Sequence, residues 1–191
     1  MKRGIDFILA VICLVLFAPL MAFCALAIRR EDGEPVIYSQ ERIGRHGKPF
    51  MIYKFRTMRK DAEGGGIPKL VEMPNDPRLT NIGAKLRKHH LDELPQLWNV
   101  IKGDMAFIGP RPERKYYIDK IMQHDPRYEQ LYALRPGVTS YATLYNGYAD
   151  TMEKMLRRLD LDLYYLQHHS LWMDASILFK TFLSIVSGKV F

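Results

Sequence analysis

The sequence predicts an α+β fold that is predominantly helical, in which a membrane-inserted helix precedes a small domain with a β-hairpin and amphipathic interfacial helices. Residues 5–28 are almost entirely apolar, and a run of this length can cross a bilayer. Residues 35–58 hold two β-rich segments around a glycine-containing turn, and residues 151–167 show helical periodicity. We therefore assign residues 1–30 to the membrane element and residues 31–191 to the globular domain.

Net charge and cysteine content limit the partners of the protein. Twenty-eight Lys and Arg residues against 21 Asp and Glu residues give a net charge of +7. Such a surface favours nucleic acid, acidic lipid headgroups or nucleotide phosphates. The two cysteines, Cys13 and Cys24, would lie roughly 16 Å apart on a continuous helix, which is too far for a disulfide. No Cys and His spacing in the sequence is typical of a zinc site.

The apolar N-terminal stretch has three interpretations: a signal peptide, a spanning helix, or a re-entrant helix that enters and leaves on one side. It is longer than the hydrophobic region of a signal peptide, roughly 7–15 residues. Pro19 would kink or break it into arms of about 14 and 9 residues, each too short to span. Lys2 and Arg3 precede the stretch and Arg29 and Arg30 follow it, which favours both ends on the cytoplasmic face. We therefore predict the re-entrant form.

The predicted hairpin places two cations on one strand. Lys54 and Arg56 are two residues apart on the returning strand, so they share a face and can hold one anion together. A solvated strand face is the alternative. The glycine-containing residues 59–75 predict a loop that moves over a site.

Two adjacent carboxylates, Asp92 and Glu93, lie just ahead of a predicted helix. That helix is indicated by apolar residues at helical spacing and by a glycine that ends it: Leu94, Leu97, Trp98, Ile101 and Gly103. Basic and histidine residues precede the pair over 85–90. Acidic groups, cations and the positive end of a helix together suit a phosphate or a metal-bound phosphate. The alternative is a helix cap with favourable first-turn charge.

The chain after this pair predicts one rigid turn and further helix. Two prolines flank Arg111 and fix its backbone, so the guanidinium is presented rigidly. Residues 114–132 predict a basic, tyrosine-rich helical stretch, and residues 135–140 predict a turn and loop.

Two helices are predicted at the end of the chain. In the helix over 151–167, leucines and methionines form one core stripe, and Asp162 and Tyr165 lie off it. Residues 171–191 predict an interfacial helix anchored by Trp172, with a second core helix as the alternative.

Five segments together resemble the bacterial sugar transferase family, the monotopic phosphoglycosyl transferases that start lipid-linked glycan assembly. They are KFRTM at 54–58, NDPRLTNIG at 75–83, LRKHHLDELPQLWNVIKGDMAFIGPRP at 86–112, RPGVT at 135–139 and DLDLYYLQHHSLWMDASILFKT at 160–181. The chain looks like the minimal form, without an added multi-span domain. The resemblance implies a re-entrant helix in the bacterial inner membrane, an active site on its cytoplasmic face, magnesium, a UDP-sugar and undecaprenyl phosphate.

The resemblance also implies roles for individual residues. Asp92 would be the nucleophile, and Glu93 would act with it and bind the metal. Matching motifs would assign substrate binding to Lys54, Arg87, Arg111 and Asp162. Arg56, from the shared strand face, and Thr139, from the RPGVT segment, complete the predicted substrate-binding residues. Residues 142–148 depart from the family pattern, so the sugar cannot be transferred from better-known relatives.

The implied reaction transfers a phosphosugar to undecaprenyl phosphate through an aspartyl-phosphosugar intermediate and releases UMP. One alternative is a membrane-anchored glycosyltransferase that releases UDP, and another is a non-catalytic membrane adaptor. Nucleic acid is not expected as a partner because the sequence has no readout motif. Downstream glycosyltransferases are possible partners, and the oligomeric state is open.

Overall fold

The computed structural model describes residues 2–62, 76–147 and 149–187. Seven α-helices, four strands and three 3₁₀ segments are present in these residues: α1 Lys2–Asp32, β1 Ile37–Ile43, a 3₁₀ turn Arg45–Gly47, β2 Pro49–Phe55, α2 Asn81–Lys88, a 3₁₀ turn Leu91–Glu93, α3 Gln96–Lys102, β3 Ala106–Ile108, α4 Lys115–His124, a 3₁₀ segment Pro126–Ala133, β4 Gly137–Thr139, α5 Tyr141–Asn146, α6 Met152–His168 and α7 Leu171–Ser187. The fold is therefore predominantly helical with small sheets, as predicted. Most of the loop predicted over 59–75 lies outside the described residues.

Helix α1 is long and apolar enough to cross a membrane, judged by length and composition. Pro19 lies inside this single helical element, so it does not end the helix, although it has no N–H to donate to the preceding turn. Few of its side chains are buried, and a large set of apolar ones is exposed: Ile5, Phe7, Ile8, Val11, Ile12, Val15, Leu16, Phe17, Phe23 and Leu26. Such an apolar surface is typical of a helix that contacts lipid.

Both ends of α1 are bound to the same globular domain. At the first turn, the Arg3 guanidinium donates to the carbonyls of Val100 and Ile101 at the end of α3. At the last turn, the Glu31 carboxylate accepts the N–H groups of Asn81 and Ile82, each at 2.8 Å. Glu31 thus satisfies donors that the first turn of α2 leaves without helical partners.

Strands β1 and β2 form the predicted antiparallel hairpin, with Tyr38 opposite Lys54. The fully buried Asn99 attaches α3 to β2, because its side-chain oxygen accepts from Tyr53 N at 3.1 Å and its nitrogen donates to Met51 O at 2.7 Å. The hairpin therefore fixes the position of the helix that follows the carboxylate pair.

A second sheet lies where a turn and loop were predicted over 135–140. Strands β3 and β4 pair in parallel, with Ala106 opposite Gly137. Three-residue strands carry too little periodicity to be read from sequence. The approach is close: a Cβ on Gly137 would lie 2.2 Å from the Gly109 nitrogen, so only glycine fits there. This pairing places the Arg111 turn beside β4.

Helix α6 is buried on two sides. Met155, Leu159 and Leu163 pack against α4 and the 3₁₀ segment after it, which confirms the predicted core stripe. Tyr165 is also buried, on another side of the helix, where Lys2 of α1 donates to its hydroxyl at 2.9 Å.

Helix α7 buries one narrow face and exposes the rest. Asp174 is buried, and its carboxylate accepts hydrogen bonds from Lys2 Nζ at 2.6 Å and from the Tyr165 hydroxyl. Trp172 is 84% exposed, and Phe179 and Phe182 are exposed as well. A wide exposed apolar face is what the prediction of an interfacial helix requires.

Candidate active site

The carboxylate pair lies on the 3₁₀ turn between α2 and α3. His90 adopts a left-handed conformation, φ 53°, which turns the chain out of α2 and into Leu91–Glu93. Helix α3 then begins at Gln96 after Pro95 with no side-chain cap, and ends at Gly103 with φ 97°. Neither Asp92 nor Glu93 caps α3, so the helix-cap alternative does not explain the pair.

Glu93 is held by two cations from different elements. The Lys54 ammonium on β2 donates to Glu93 Oε1 at 2.5 Å, and the Arg111 guanidinium lies 3.7 Å from the same oxygen. The Lys54 and Glu93 side chains are only 19% and 15% exposed. Burial favours a neutral Glu93, but the Lys54 and Arg111 charges outweigh it and lower its pKa to about 2. Glu93 is therefore ionised at neutral pH.

Asp92 has the opposite electrostatic character. Its side chain is buried, and burial together with the Glu93 charge raises its pKa, while Lys54 and Arg87 lower it. Two adjacent carboxylates thus differ in proton affinity because Lys54 and Arg111 bind one of them directly. Such separation of pKa values is typical of functional sites.

Arg87 approaches Asp92 from α2. Its Nε donates to the Thr57 hydroxyl at 2.8 Å, at the end of the hairpin. Its charge is near enough to Asp92 to act on the pKa of that carboxyl. The structure therefore brings Lys54, Arg87 and Arg111 to the carboxylate pair from three separate elements, as their motifs predicted.

Asp162 lies on the other side of the Arg111 turn. It is 2% exposed, and it lines a small cavity with Arg111, Glu113 and Arg158. Burial raises the pKa of Asp162 to about 8, and the Arg158 charge opposes this shift only in part. One of its carboxyl oxygens, Oδ1, has no hydrogen-bond partner in the described part of the chain. Asp162 is therefore beside the site, in contact with the Arg111 turn rather than with the carboxylate pair.

Sequence reasoning missed the ion pair that supports this turn. Arg158 donates to Glu113 Oε1 at 2.7 Å, and Arg42 of β1 lies 3.7 Å from the other Glu113 oxygen. Arg158 precedes Asp162 by one helical turn, so the two share a face of α6. That spacing, and the Glu that follows the GPRP motif, were the available signals.

Two predicted substrate-binding residues point elsewhere. Arg56 lies just beyond the end of β2 and binds the end of α1, with its guanidinium 3.0 Å from the Asp32 carboxylate and 2.8 Å from Gly33 O. In this structure Lys54 and Arg56 therefore bind two different carboxylates, those of Glu93 and Asp32. The Thr139 hydroxyl forms a hydrogen bond with Thr181 of α7 at 3.0 Å, so it joins β4 to α7.

The donor atoms near Asp92 allow a specific kind of metal site. No cluster of three or more His, Cys, Asp and Glu side chains that could hold a metal is found in residues 2–62, 76–147 and 149–187. Mg²⁺ commonly uses one or two carboxylates and completes its shell with water and substrate phosphates. The pair Asp92 and Glu93 fits an ion shared with a phosphate substrate, with Glu93 as the predicted ligand.

Comparison with known proteins gives the family. The sequence matches the family described as bacterial sugar transferase over residues 1–188. It is 40% identical over 187 residues to a UDP-N-acetylgalactosamine-undecaprenyl-phosphate N-acetylgalactosaminephosphotransferase of Aeromonas hydrophila, covering 98% of this chain and 44% of that protein. It is 37% identical over 183 residues to a UDP-glucose:undecaprenyl-phosphate glucose-1-phosphate transferase of Escherichia coli (strain K12), covering 95% and 39%.

A shorter relative matches from end to end. The exopolysaccharide production protein PSS of Rhizobium leguminosarum bv. phaseoli is 38% identical over 198 residues, covering 100% of this chain and 98% of that protein. The chain thus spans less than half of the Aeromonas and Escherichia relatives and nearly all of the Rhizobium one. With its motifs, its site and a match across almost the whole sequence, the chain belongs to the bacterial sugar transferase family.

Proposed function

We propose that this protein transfers a phosphosugar from a UDP-sugar to undecaprenyl phosphate, releasing UMP, and so starts the assembly of a lipid-linked glycan. The observation that carries the proposal is a buried carboxylate, Asp92, next to an ionised Glu93 that Lys54 and Arg111 hold. Relatives named as undecaprenyl-phosphate sugar phosphotransferases support the substrate class.

In the first step, a carboxylate oxygen of Asp92 attacks the sugar-bearing phosphorus of the UDP-sugar. An oxygen–phosphorus bond forms to Asp92, the bond from that phosphorus to the bridging oxygen breaks, and UMP leaves. Carboxylates serve as transient carriers in this way. The attack requires the ionised form of Asp92, and the neighbouring Lys54 and Arg87 charges favour that form.

Attack of an anion on a phosphate requires positive charge around the phosphorus. Lys54, Arg87 and Arg111 supply three positive charges, from β2, α2 and the Arg111 turn respectively. We propose magnesium as the cofactor, held by Glu93 and the substrate phosphates, where it would supply further neutralisation. Because Glu93 is ionised at neutral pH, its carboxylate can bind either the Lys54 ammonium group or a metal ion.

In the second step, a phosphate oxygen of undecaprenyl phosphate attacks the same phosphorus. The new phosphorus–oxygen bond gives the lipid diphosphosugar, and the Asp92 carboxylate is the leaving group. This step requires the lipid phosphate and Asp92 to meet at one depth, which a domain docked on a membrane helix provides.

We propose the re-entrant topology for α1, with the active site at the cytoplasmic face of the bacterial inner membrane. The support is that Arg3 at its start and Glu31 at its end both bind the same domain. A straight spanning helix would separate these ends by a bilayer. Labels placed at each end and tested for access from either side would distinguish the two arrangements.

The reaction is tested by the nucleotide released. Purified protein, magnesium and undecaprenyl phosphate are incubated with a panel of UDP-sugars, and the products are separated. Release of UMP that Asp92→Asn abolishes supports the proposal, and release of UDP supports direct glycosyl transfer instead. If neither UMP nor UDP is released and no mass-shifted Asp92 peptide is found with any UDP-sugar of the panel, a membrane adaptor would be favoured.

A further inference from the structure

Thr57 lies just beyond the end of β2, where the hairpin meets α2. It is 5% exposed, and its hydroxyl accepts the Nε–H of Arg87 at 2.8 Å. Its backbone carbonyl accepts the Thr80 N–H at 3.0 Å, just before α2 begins. The side-chain hydroxyl and the backbone carbonyl of Thr57 are therefore both bound to the segment that carries Arg87.

The Thr57 backbone and α2 are in close contact, with no room for a side chain between them. A Cβ on Gly83 would lie 1.9 Å from the Thr57 carbonyl oxygen, so α2 approaches the Thr57 backbone at a position where only glycine fits. Arg87 is one helical turn beyond Gly83 and therefore lies on the same face of α2. The Thr57 backbone therefore lies directly against the face of α2 that carries Arg87.

We propose that Thr57 is a positioning residue for the phosphosugar transfer, whose hydroxyl fixes the Arg87 guanidinium toward Asp92. The inference rests on the proposed function. A guanidinium presents five donors in a fixed plane, so binding one edge to Thr57 decides where the remaining donors point. The Arg87 charge then acts on Asp92 and on the phosphate that Asp92 attacks.

A hydroxyl is needed here for a reason other than packing. Valine has the shape of threonine but cannot accept a hydrogen bond, so in Thr57→Val the Arg87 Nε–H would have to turn to another partner. Serine lacks only the methyl group and keeps the acceptor. The pair Thr57→Val and Thr57→Ser therefore separates the hydrogen bond from the volume of the side chain.

Thr80 provides a matched control within the same contact. Its hydroxyl accepts the Gly83 N–H at 2.9 Å and caps α2, and it donates to the Thr57 carbonyl oxygen at 3.5 Å rather than bonding to Arg87. Thr80→Val should lower the thermal midpoint, as loss of a helix cap does, but should leave the hydrogen bond between Arg87 and the Thr57 hydroxyl in place.

The experiment uses the full chain in lipid nanodiscs and two readouts. UMP release should fall about tenfold to hundredfold in Thr57→Val, mainly in kcat, which is the range for losing one hydrogen bond to a charged group. Thr57→Ser should recover most of it. The Nε–H signal of Arg87, followed by NMR, should lose its protection from solvent exchange in Thr57→Val and keep it in Thr57→Ser, because only valine lacks the acceptor. In an Arg87→Lys background, Thr57→Val should cause no further loss of UMP release.

The outcomes separate the two proposals. If no UMP is released by wild type but the Arg87 Nε–H still loses its protection in Thr57→Val, the proposed function fails and the positioning of Arg87 stands. If the Arg87 Nε–H exchanges identically in wild type and Thr57→Val, the positioning role is overturned whatever the activity. An equal loss of protection in Thr80→Val, or equal loss of UMP release in Thr57→Ser and Thr57→Val, would also overturn it, because packing would then explain the effect.

Discussion

Replacing Lys54 by methionine tests the electrostatic basis of the site. A carboxyl held at a pKa of about 2, against 4.5 when unperturbed, gains roughly 3 kcal/mol of stability at neutral pH. Burial lowers the pKa of Lys54, which offsets part of this gain, and Arg111 still faces Glu93 in the variant. We therefore expect Lys54→Met to lower the free energy of unfolding by about 2 kcal/mol, or the thermal midpoint by about 4–8 °C.

The pH dependence identifies the cause. Because the folded-state pKa of Glu93 lies below its unfolded value, its contribution is present above about pH 4.5 and is lost as the pH falls toward 2. Circular dichroism melts in detergent between pH 7 and pH 3 should thus show the deficit of Lys54→Met shrinking below pH 4.5.

The control is Lys115→Met, which removes an exposed ion pair with Asp119 and should leave the midpoint unchanged. Equal midpoints for wild type and Lys54→Met at pH 7 would refute the reasoning. A deficit that stays constant down to pH 3 would assign the loss to packing instead of charge.

Three further changes have definite expected results. Since the folded-state pKa of Asp162 is raised to about 8, wild-type stability should fall from pH 4 to pH 8 as only the unfolded state ionises, and Asp162→Asn should flatten that slope in thermal melts. Asn99→Ala removes two hydrogen bonds to β2 and should cost about 2–4 kcal/mol in chemical unfolding, with reduced UMP release because α3 loosens. Gly83→Ala places a methyl group against Thr57 and should lower both midpoint and activity, whereas Ala84→Gly should lower the midpoint without the clash.

Local pattern was enough for the parts of the fold that depend on local interactions. The hairpin, α6 and the α3 boundaries at Pro95 and Gly103 follow from alternation, helical periodicity and backbone-limited residues. The β3–β4 sheet could not be predicted, because its three-residue strands pair across about thirty residues of chain and owe their contact to tertiary packing. The close approach of Gly109 and Gly137 has no signature in either segment alone.

Motifs in the sequence predicted which residues lie at the site, but not the partner of every side chain. Motifs predicted that Lys54, Arg87 and Arg111 lie near the carboxylate pair, and they do. Arg56 belongs to the same KFRTM motif as Lys54, yet its side chain binds the end of α1. A motif fixes which residues are present, but the direction of a long side chain is set by whichever buried partner the fold supplies, and for Arg56 that partner is Asp32.

The contacts of α1 connect it to the helices on both sides of the carboxylate pair. The pair lies between α2 and α3, and α1 binds both: Glu31 caps the start of α2, and Arg3 holds the last carbonyls of α3. A shift of α1 relative to the domain would therefore pull on both helices that flank the pair. Since α1 exposes its apolar side chains along most of its length, its depth in a bilayer would set the depth of Asp92. In the proposed mechanism, α1 would therefore also align Asp92 with the phosphate of the lipid substrate.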